Sequence, residues 1–194
     1  MTIDIIDLGL KDYKETLEIQ YDLIEQRKNN LINDTLLFVE HPHVITAGRK
    51  TVESNILDKS LPVFHIERGG DVTYHGPGQL VGYPIIDINN KKDINLFLRK
   101  IEQTIIDLLN EFGLEGIRKD KFTGVWVKDK KITSIGVAFK NWISYHGFAL
   151  NVSTDISYFF KINPCGLEAS VMTSIELLLN KKILMQDIKD KISK

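Results

Sequence analysis

Apolar residues recur along this chain in two rhythms, one of three and four residues and one of two, and the switches between them lay out the elements. The longest helical rhythm spans residues 94–112. There Ile94, Phe97, Leu98, Ile101, Ile105, Leu108, Leu109 and Phe112 form one stripe, and Gly113 is a natural terminator. A second helix is predicted over 11–28, with Tyr13, Leu17, Tyr21 and Ile24 on one face. Short apolar runs bounded by turn residues predict strands at 3–8, 35–40, 63–68 and 80–88. His41-Pro42 stops the second of these, Gly69-Gly70 follows the third, and the turn Gly76-Pro77-Gly78 precedes the fourth. Residues 124–127 and 132–139 predict a strand pair around Lys128-Asp129-Lys130, and 142–152 a further strand. Thr173-Ser174-Ile175-Glu176 has capping-box spacing and should open a helix, with another short one at 185–192. Strands and helices mixed without strict alternation predict an α/β (α+β) fold, a mixed β-sheet with packed helices. With no repeat or low-complexity linker, residues 1–194 are read as a single domain.

Composition narrows the function classes. A chain of 194 residues, 43% hydrophobic and 26% charged, has the make-up of a soluble globular protein with a sizeable core. A formal net charge of -1 gives no sign of a nucleic-acid surface. No apolar run approaches the ~20 residues of a membrane span. The first ten residues carry Asp4 and Asp7 and read as a strand, not a targeting segment. The single cysteine rules out an intrachain disulfide and fits a reducing compartment, so a cytoplasmic location is expected.

Three features carry candidate chemistry. Arg68-Gly-Gly-Asp-Val-Thr-Tyr-His-Gly-Pro-Gly-Gln79 packs four glycines and a proline into twelve residues. Its backbone could approach a ligand closely, or it could be a turn-rich connection facing water. It matches neither the P-loop nor the dinucleotide fingerprint. A lone cysteine is more often a buried hydrophobe than a nucleophile. Cys165, however, lies in the turn Asn163-Pro164-Cys165-Gly166, where a thiol meets substrate more readily than inside a strand. An unperturbed thiol, with a pKa of ~8.5, needs a nearby cation or base to react at neutral pH. Lys131, beside Lys128 and Lys130, could be one more solvated turn lysine. Strand parity says otherwise: with no bulge, Lys131 shares a face with Thr133, Ile135, Val137 and Phe139, the bulky set, and Lys130 does not. A lysine pressed toward an apolar interior becomes a usable proton acceptor. No Cys/His cluster has metal-ligand spacing, and His41, His43 and His65 are read as structural.

The glycine-rich string resembles the signature of the lipoyl(octanoyl) transferase family, and further blocks follow in that family's order. These are Glu40-His41-Pro42, Thr123-Gly124-Val125-Trp126-Val127, Lys131-Ile132-Thr133-Ser134-Ile135-Gly136, His146-Gly147-Phe148-Ala149-Leu150-Asn151-Val152 and Ile162-Asn163-Pro164-Cys165-Gly166. The resemblance covers roughly residues 40–174. It implies the catalytic fold of the biotin and lipoate protein ligases, with Cys165 as acyl-thioester nucleophile and Lys131 as its activator. It places substrate contacts at Arg68, Gly69, Gly70, Asp71, Val72, Thr73, Tyr74 and His75, at Ser134, Ile135 and Gly136, and at Gly147, Phe148 and Ala149. His75 and His146 would line the acyl site. The implied donor is octanoyl-acyl carrier protein, carrying phosphopantetheine. The implied acceptors are lipoyl domains of 2-oxoacid dehydrogenases and the glycine cleavage H protein, with no ATP, metal, nucleic acid or membrane involved. Departures from the family pattern are His43 where proline is common, Ala47 where leucine is common, and Phe148 where leucine is usual. Two rival readings are an ATP-dependent lipoate or biotin protein ligase, which needs no nucleophilic cysteine, and a non-catalytic module that docks acyl carrier protein.

Overall fold

The computed structural model describes residues 3–193. Its strands are β1 (Ile3–Leu10), β2 (Asp34–Glu40), β3 (Val44–Ala47), β4 (Val63–His65), β5 (Val72–His75), β6 (Gln79–Ile85), β7 (Gly116–Lys119), β8 (Phe122–Val127), β9 (Lys130–Lys140) and β10 (Ile143–Asn151). The helices are α1 (Tyr13–Lys28), α2 (Ile94–Glu111), α3 (Ile175–Leu179) and α4 (Met185–Ile192). Seven strands form one mixed sheet in the order β1-β2-β6-β10-β9-β8-β7, and β4-β3-β5 form a second, smaller one. The β1–β2 pair is parallel, whereas β2, β6, β10, β9, β8 and β7 pair antiparallel in succession.

Alternation along the strands divides the core between the two faces of the large sheet. Leu80, Val125, Val127, Ile135, Val137 and Leu150 join the stripe of α2, including Ile101, Ile105 and Leu109, and Ile188 of α4. On the other face Val81, Tyr83, Ile85 and Ala149 meet Leu23 and Ile24 of α1. The small sheet packs with Phe159, Ile162 and Met172 of the post-β10 segment through Ile45, Val72 and Tyr74. The catalytic candidates lie on the α1 side, where Thr73 and His75 of β5 and Tyr13 of α1 face Val81, Tyr83 and Ala149 of the large sheet across a pocket.

Most predicted elements occur near their expected bounds, with α4 at 185–192 as read. Three departures have physical reasons. Residues 66–68, expected to extend a strand, leave it after His65, and the glycine-rich string contains a real strand, β5. That strand is legible only through its partner β3, a four-residue apolar run too short to distinguish from a turn. The helix at 175 is capped by Ser174, not Thr173, its hydroxyl accepting from Leu177 N at 3.3 Å. Glu176 does not fold back to the cap; it accepts from Ile183 N at 2.8 Å. Among the described residues no helix is long and apolar enough to cross a membrane.

Candidate active site

Lys131 reaches the site because β9 carries an extra residue. Val125 pairs with Thr133 and Trp126 with Lys131, so Ile132 and Thr133 together oppose Val125 in a β-bulge. Ile132 thereby joins Ile135 and Val137 in the α2-side cluster. Val125 and Val127 point that way too, so Trp126 between them faces the opposite side, and Lys131 across from it shares that side. The expectation that Lys131 lies with the bulky set of β9 is therefore corrected, since an uninterrupted strand would have sent it beneath α2. Its side chain is 2% exposed, runs past Gly124 and ends with Nζ 5.9 Å from the Trp126 ring centre. Lys130, by contrast, is exposed and donates to Ser170 O at 2.7 Å.

Cys165 Sγ stands 3.8 Å from Lys131 Nζ. It occupies the middle of a 3₁₀ turn, Pro164–Gly166, with φ 56° and ψ 33°. A left-handed non-glycine residue of this kind costs about 1–3 kcal/mol and persists only where its surroundings impose it. Here both flanks are tied. Before the cysteine, Asn163 N donates to Asn55 O (2.8 Å), and Asn55 Nδ2 donates to Asp71 Oδ2 (2.6 Å). After it, Thr173 N donates to Lys131 O (3.0 Å).

The thiol, half-buried, opens on a pocket with an empty volume of ≈ 480 Å³. The large sheet lines it with Val81, Tyr83, Ser134, Ile135, Gly136, His146, Gly147, Phe148 and Ala149, and the opposite side supplies Tyr13, Arg68, Gly70, Thr73 and His75. Gly136 and Gly147 are directly paired on β9 and β10. The Arg68-Gly69 backbone lies on Gly136: a Cβ there would stand 2.7 Å from Gly69 O, and Gly69 N donates to Val137 O at 2.9 Å. Only glycine permits this approach.

The glycine-rich string thus divides. Arg68, Gly70, Thr73 and His75 line the pocket. Val72 and Tyr74 alternate with them on β5 and turn into the small-sheet core, Gly69 bonds to β9, and Asp71 secures Asn55. Ser134, Ile135, Gly136, Gly147, Phe148 and Ala149 all come to the pocket. The Phe148 ring, however, belongs to the α2-side cluster and lies across Gly82, so the departure from leucine falls mainly on that face. Tyr13, Val81 and Tyr83 were not anticipated. Alternation along 80–85 could have flagged Val81 and Tyr83, whereas Tyr13 looked like one more core residue of its helix.

The pocket is electrostatically unusual in one respect. Arg68 is buried with no carboxylate paired to it among the described residues; it donates to Thr46 O (2.7 Å), Thr46 Oγ1 (3.1 Å) and Gly69 O (3.0 Å). Burial pushes its pKa below the usual guanidinium value. Burial also drives His75 down to about 3 and His146 to about 4, so both rings are neutral at physiological pH. His41, lowered to about 4 by burial, bridges Lys11 O (2.7 Å) and the Tyr83 hydroxyl (2.9 Å). Among the described residues no group of three or more His, Cys, Asp or Glu is placed to hold a metal.

Comparison with known proteins places the chain in a family. The family model described as lipoyl protein ligase A/B catalytic domain matches residues 12–194. An octanoyltransferase of Solibacter usitatus is 50% identical over 178 residues, 88% of this chain and 81% of that one. An octanoyltransferase of Caldicellulosiruptor bescii is 46% identical over 202 residues, 99% of this chain and 89% of that one. Among solved structures, lipoate-protein ligase A bound with ATP superposes with a TM-score of 0.79 at 16% identity, covering 99% of this chain and 83% of that one. Biotin protein ligase from Aquifex aeolicus gives 0.58 at 12% identity, covering 99% and 66%. At these identities the structural likeness is one of fold, the mixed α/β architecture expected from the sequence.

Proposed function

The chain belongs to the lipoyl protein ligase A/B catalytic domain family, and on that premise we propose that it is an acyltransferase that moves an octanoyl group onto a lysine of a lipoyl domain through a thioester on Cys165. The observation that carries this reading is the buried Lys131 amine nitrogen 3.8 Å from the only thiol, at the edge of a narrow pocket. A ligase working through an acyl-adenylate needs no nucleophilic cysteine.

In the proposed mechanism the neutral amine form of Lys131 takes the thiol proton while Sγ attacks the thioester carbonyl of octanoyl-acyl carrier protein. The tetrahedral intermediate collapses, Lys131 returns that proton to the carrier's departing phosphopantetheine thiol, and the octanoyl group remains on Sγ. The acceptor lysine then attacks this thioester as a neutral amine. Its surplus proton passes to Lys131 or the departing Sγ, and an amide forms. One thioester replaces another at little cost and the amide lies downhill, so the sequence closes without ATP or metal. Acceptors of this chemistry are lipoyl domains, including those of 2-oxoacid dehydrogenases and the glycine cleavage H protein, in the cytoplasm.

The test is transfer from octanoyl-acyl carrier protein to an isolated lipoyl domain with nucleotide enzymatically removed. Undiminished transfer is expected. A strict requirement for ATP, with free octanoate as the better donor, would overturn the reading in favour of a ligase.

A further inference from the structure

A buried chain of hydrogen bonds links the two sides of the site, and its direction can be read from its ends. Asn151 Nδ2 donates to Thr173 O (2.9 Å), a carbonyl that can only accept. Asn151 Oδ1 is therefore the acceptor facing Gln79, whose Nε2 donates to it at 2.9 Å. The same Nε2 donates to Tyr74 O (3.2 Å), so a second backbone carbonyl independently fixes the Gln79 amide. Gln79 Oε1 must then accept from His75 Nδ1 at 2.7 Å, which places the proton of that neutral ring on Nδ1. His75 Nε2 is left bare and accepts from Thr46 Oγ1 (3.3 Å), which in turn accepts from Arg68 (3.1 Å). Thr46, Arg68, His75, Gln79, Asn151 and Thr173 are all buried, so water does not supply alternatives freely.

We propose that Gln79 and Asn151 are positioning residues that impose one polarity on this chain, holding His75 as the Nδ1–H tautomer against Arg68 and tying the Cys165-bearing segment to the strand of Lys131. The catalytic half of this statement rests on the proposed roles of Cys165 and Lys131. Asn151 acts through Thr173, whose carbonyl it holds and whose amide is bonded to Lys131 O. Loss of that hold frees the segment that sets the 3.8 Å spacing. Gln79 acts through His75. A proton on Nε2 would point at the Thr46–Arg68 pair, and among the described residues the other groups around the ring offer it no anion. Tyr13 stacks at 6.2 Å, His41 lies at 6.0 Å, and Arg68 and His146 oppose further positive charge.

Nitrogen-15 NMR of histidine-labelled, unaltered protein reads each ring's tautomer. His75 is expected to carry its proton on Nδ1 with Nε2 bare, unchanged from pH 8 to 5. A proton on Nε2, or titration near the ordinary histidine value, would overturn the assigned polarity. Gln79→Glu keeps the acceptor but removes the donors, and His75 should then titrate within the observable range; a ring that still does not titrate contradicts the proposal. Asn151→Asp keeps shape but removes the donor to Thr173 O. Single-turnover acylation of Cys165 should slow by roughly ten- to a hundredfold with little change in donor KM, the scale of a misplaced catalytic pair. An unchanged acylation rate in folded Asn151→Asp refutes the positioning role. Should that variant not fold, the tautomer in the unaltered protein still decides the polarity. Normal transfer by Cys165→Ala would remove the underlying reading of Cys165 while leaving the His75 result standing.

Discussion

Replacing Gly124 by alanine adds one methyl group to β8, and the structure shows where that methyl goes. Gly124 has φ +135°, which a side chain rarely adopts, and its Cβ would press into the carbonyl oxygen of Thr133 while standing 3.0 Å from Cε of Lys131. Carbon atoms settle at about 3.5–4.0 Å, so the lysine stem must retreat by roughly 0.5–1 Å. Glu102 opposes relief by a shift of β8, because its buried carboxylate accepts from Gly124 N at 3.1 Å and also holds Arg99 and Arg118. The Nζ–Sγ distance of 3.8 Å already lies at the long end for a sulfur hydrogen bond, so this retreat breaks the contact. Backbone strain should cost about 1–3 kcal/mol of stability, and the misplaced lysine should cost up to ~100-fold in rate. The assay is single-turnover acylation of Cys165 by an octanoyl thioester, beside iodoacetamide alkylation and thermal unfolding. Because the methyl acts through Lys131, the double variant with Lys131→Met should be about as slow as Lys131→Met alone. Parental acylation in Gly124→Ala, or a double variant slowed by the product of the two single effects, would refute the reasoning.

Two further predictions separate neighbouring residues and neighbouring pH windows. Lys131→Arg should not restore transfer, because a guanidinium keeps its proton. Lys130→Ala, which removes only the surface bond to Ser170 O, should transfer and alkylate like the parent; comparable losses in both would sink the distinction. His41 and His146 take up protons only near pH 4 and His75 near 3 in the folded chain, against about 6.5 when unfolded. Between those values the unfolded chain binds more protons. The stability is therefore fully present above pH 6.5 and falls as pH drops toward 4, by at most roughly 1.4 kcal/mol per unit for each ring. Urea midpoints at pH 7, 6 and 5 should decline in that order, and a flat series contradicts the buried neutral rings.

The sequence made regular elements legible where one face repeats over several turns or residues, as in α2 and β10. It was less informative where an element is defined by its partner: β3, β5 and β7 have four residues each and exist through pairing. Lys131 shows the difference most sharply. Both parity and resemblance pointed to that lysine, but parity placed it on the wrong face. The bulge at Ile132–Thr133 is set by register against Val125, which no pattern within β9 alone discloses. Alternation did sort the glycine-rich string correctly once β5 was known, with Thr73 and His75 toward the pocket and Val72 and Tyr74 toward the core. Arg68 drew notice as one polar group among several, whereas its burial without a carboxylate among the described residues is a property of the fold.

Intact-mass spectrometry after mixing with octanoyl-acyl carrier protein, before and after addition of a lipoyl domain, tests the central claim most directly. The account predicts one octanoyl group on the protein, lost on brief hydroxylamine treatment, mapped to Cys165, absent in Cys165→Ala, and discharged to the lipoyl-domain lysine without ATP. Transfer at the normal rate with no adduct, or with Cys165→Ala as active as the parent, would contradict it.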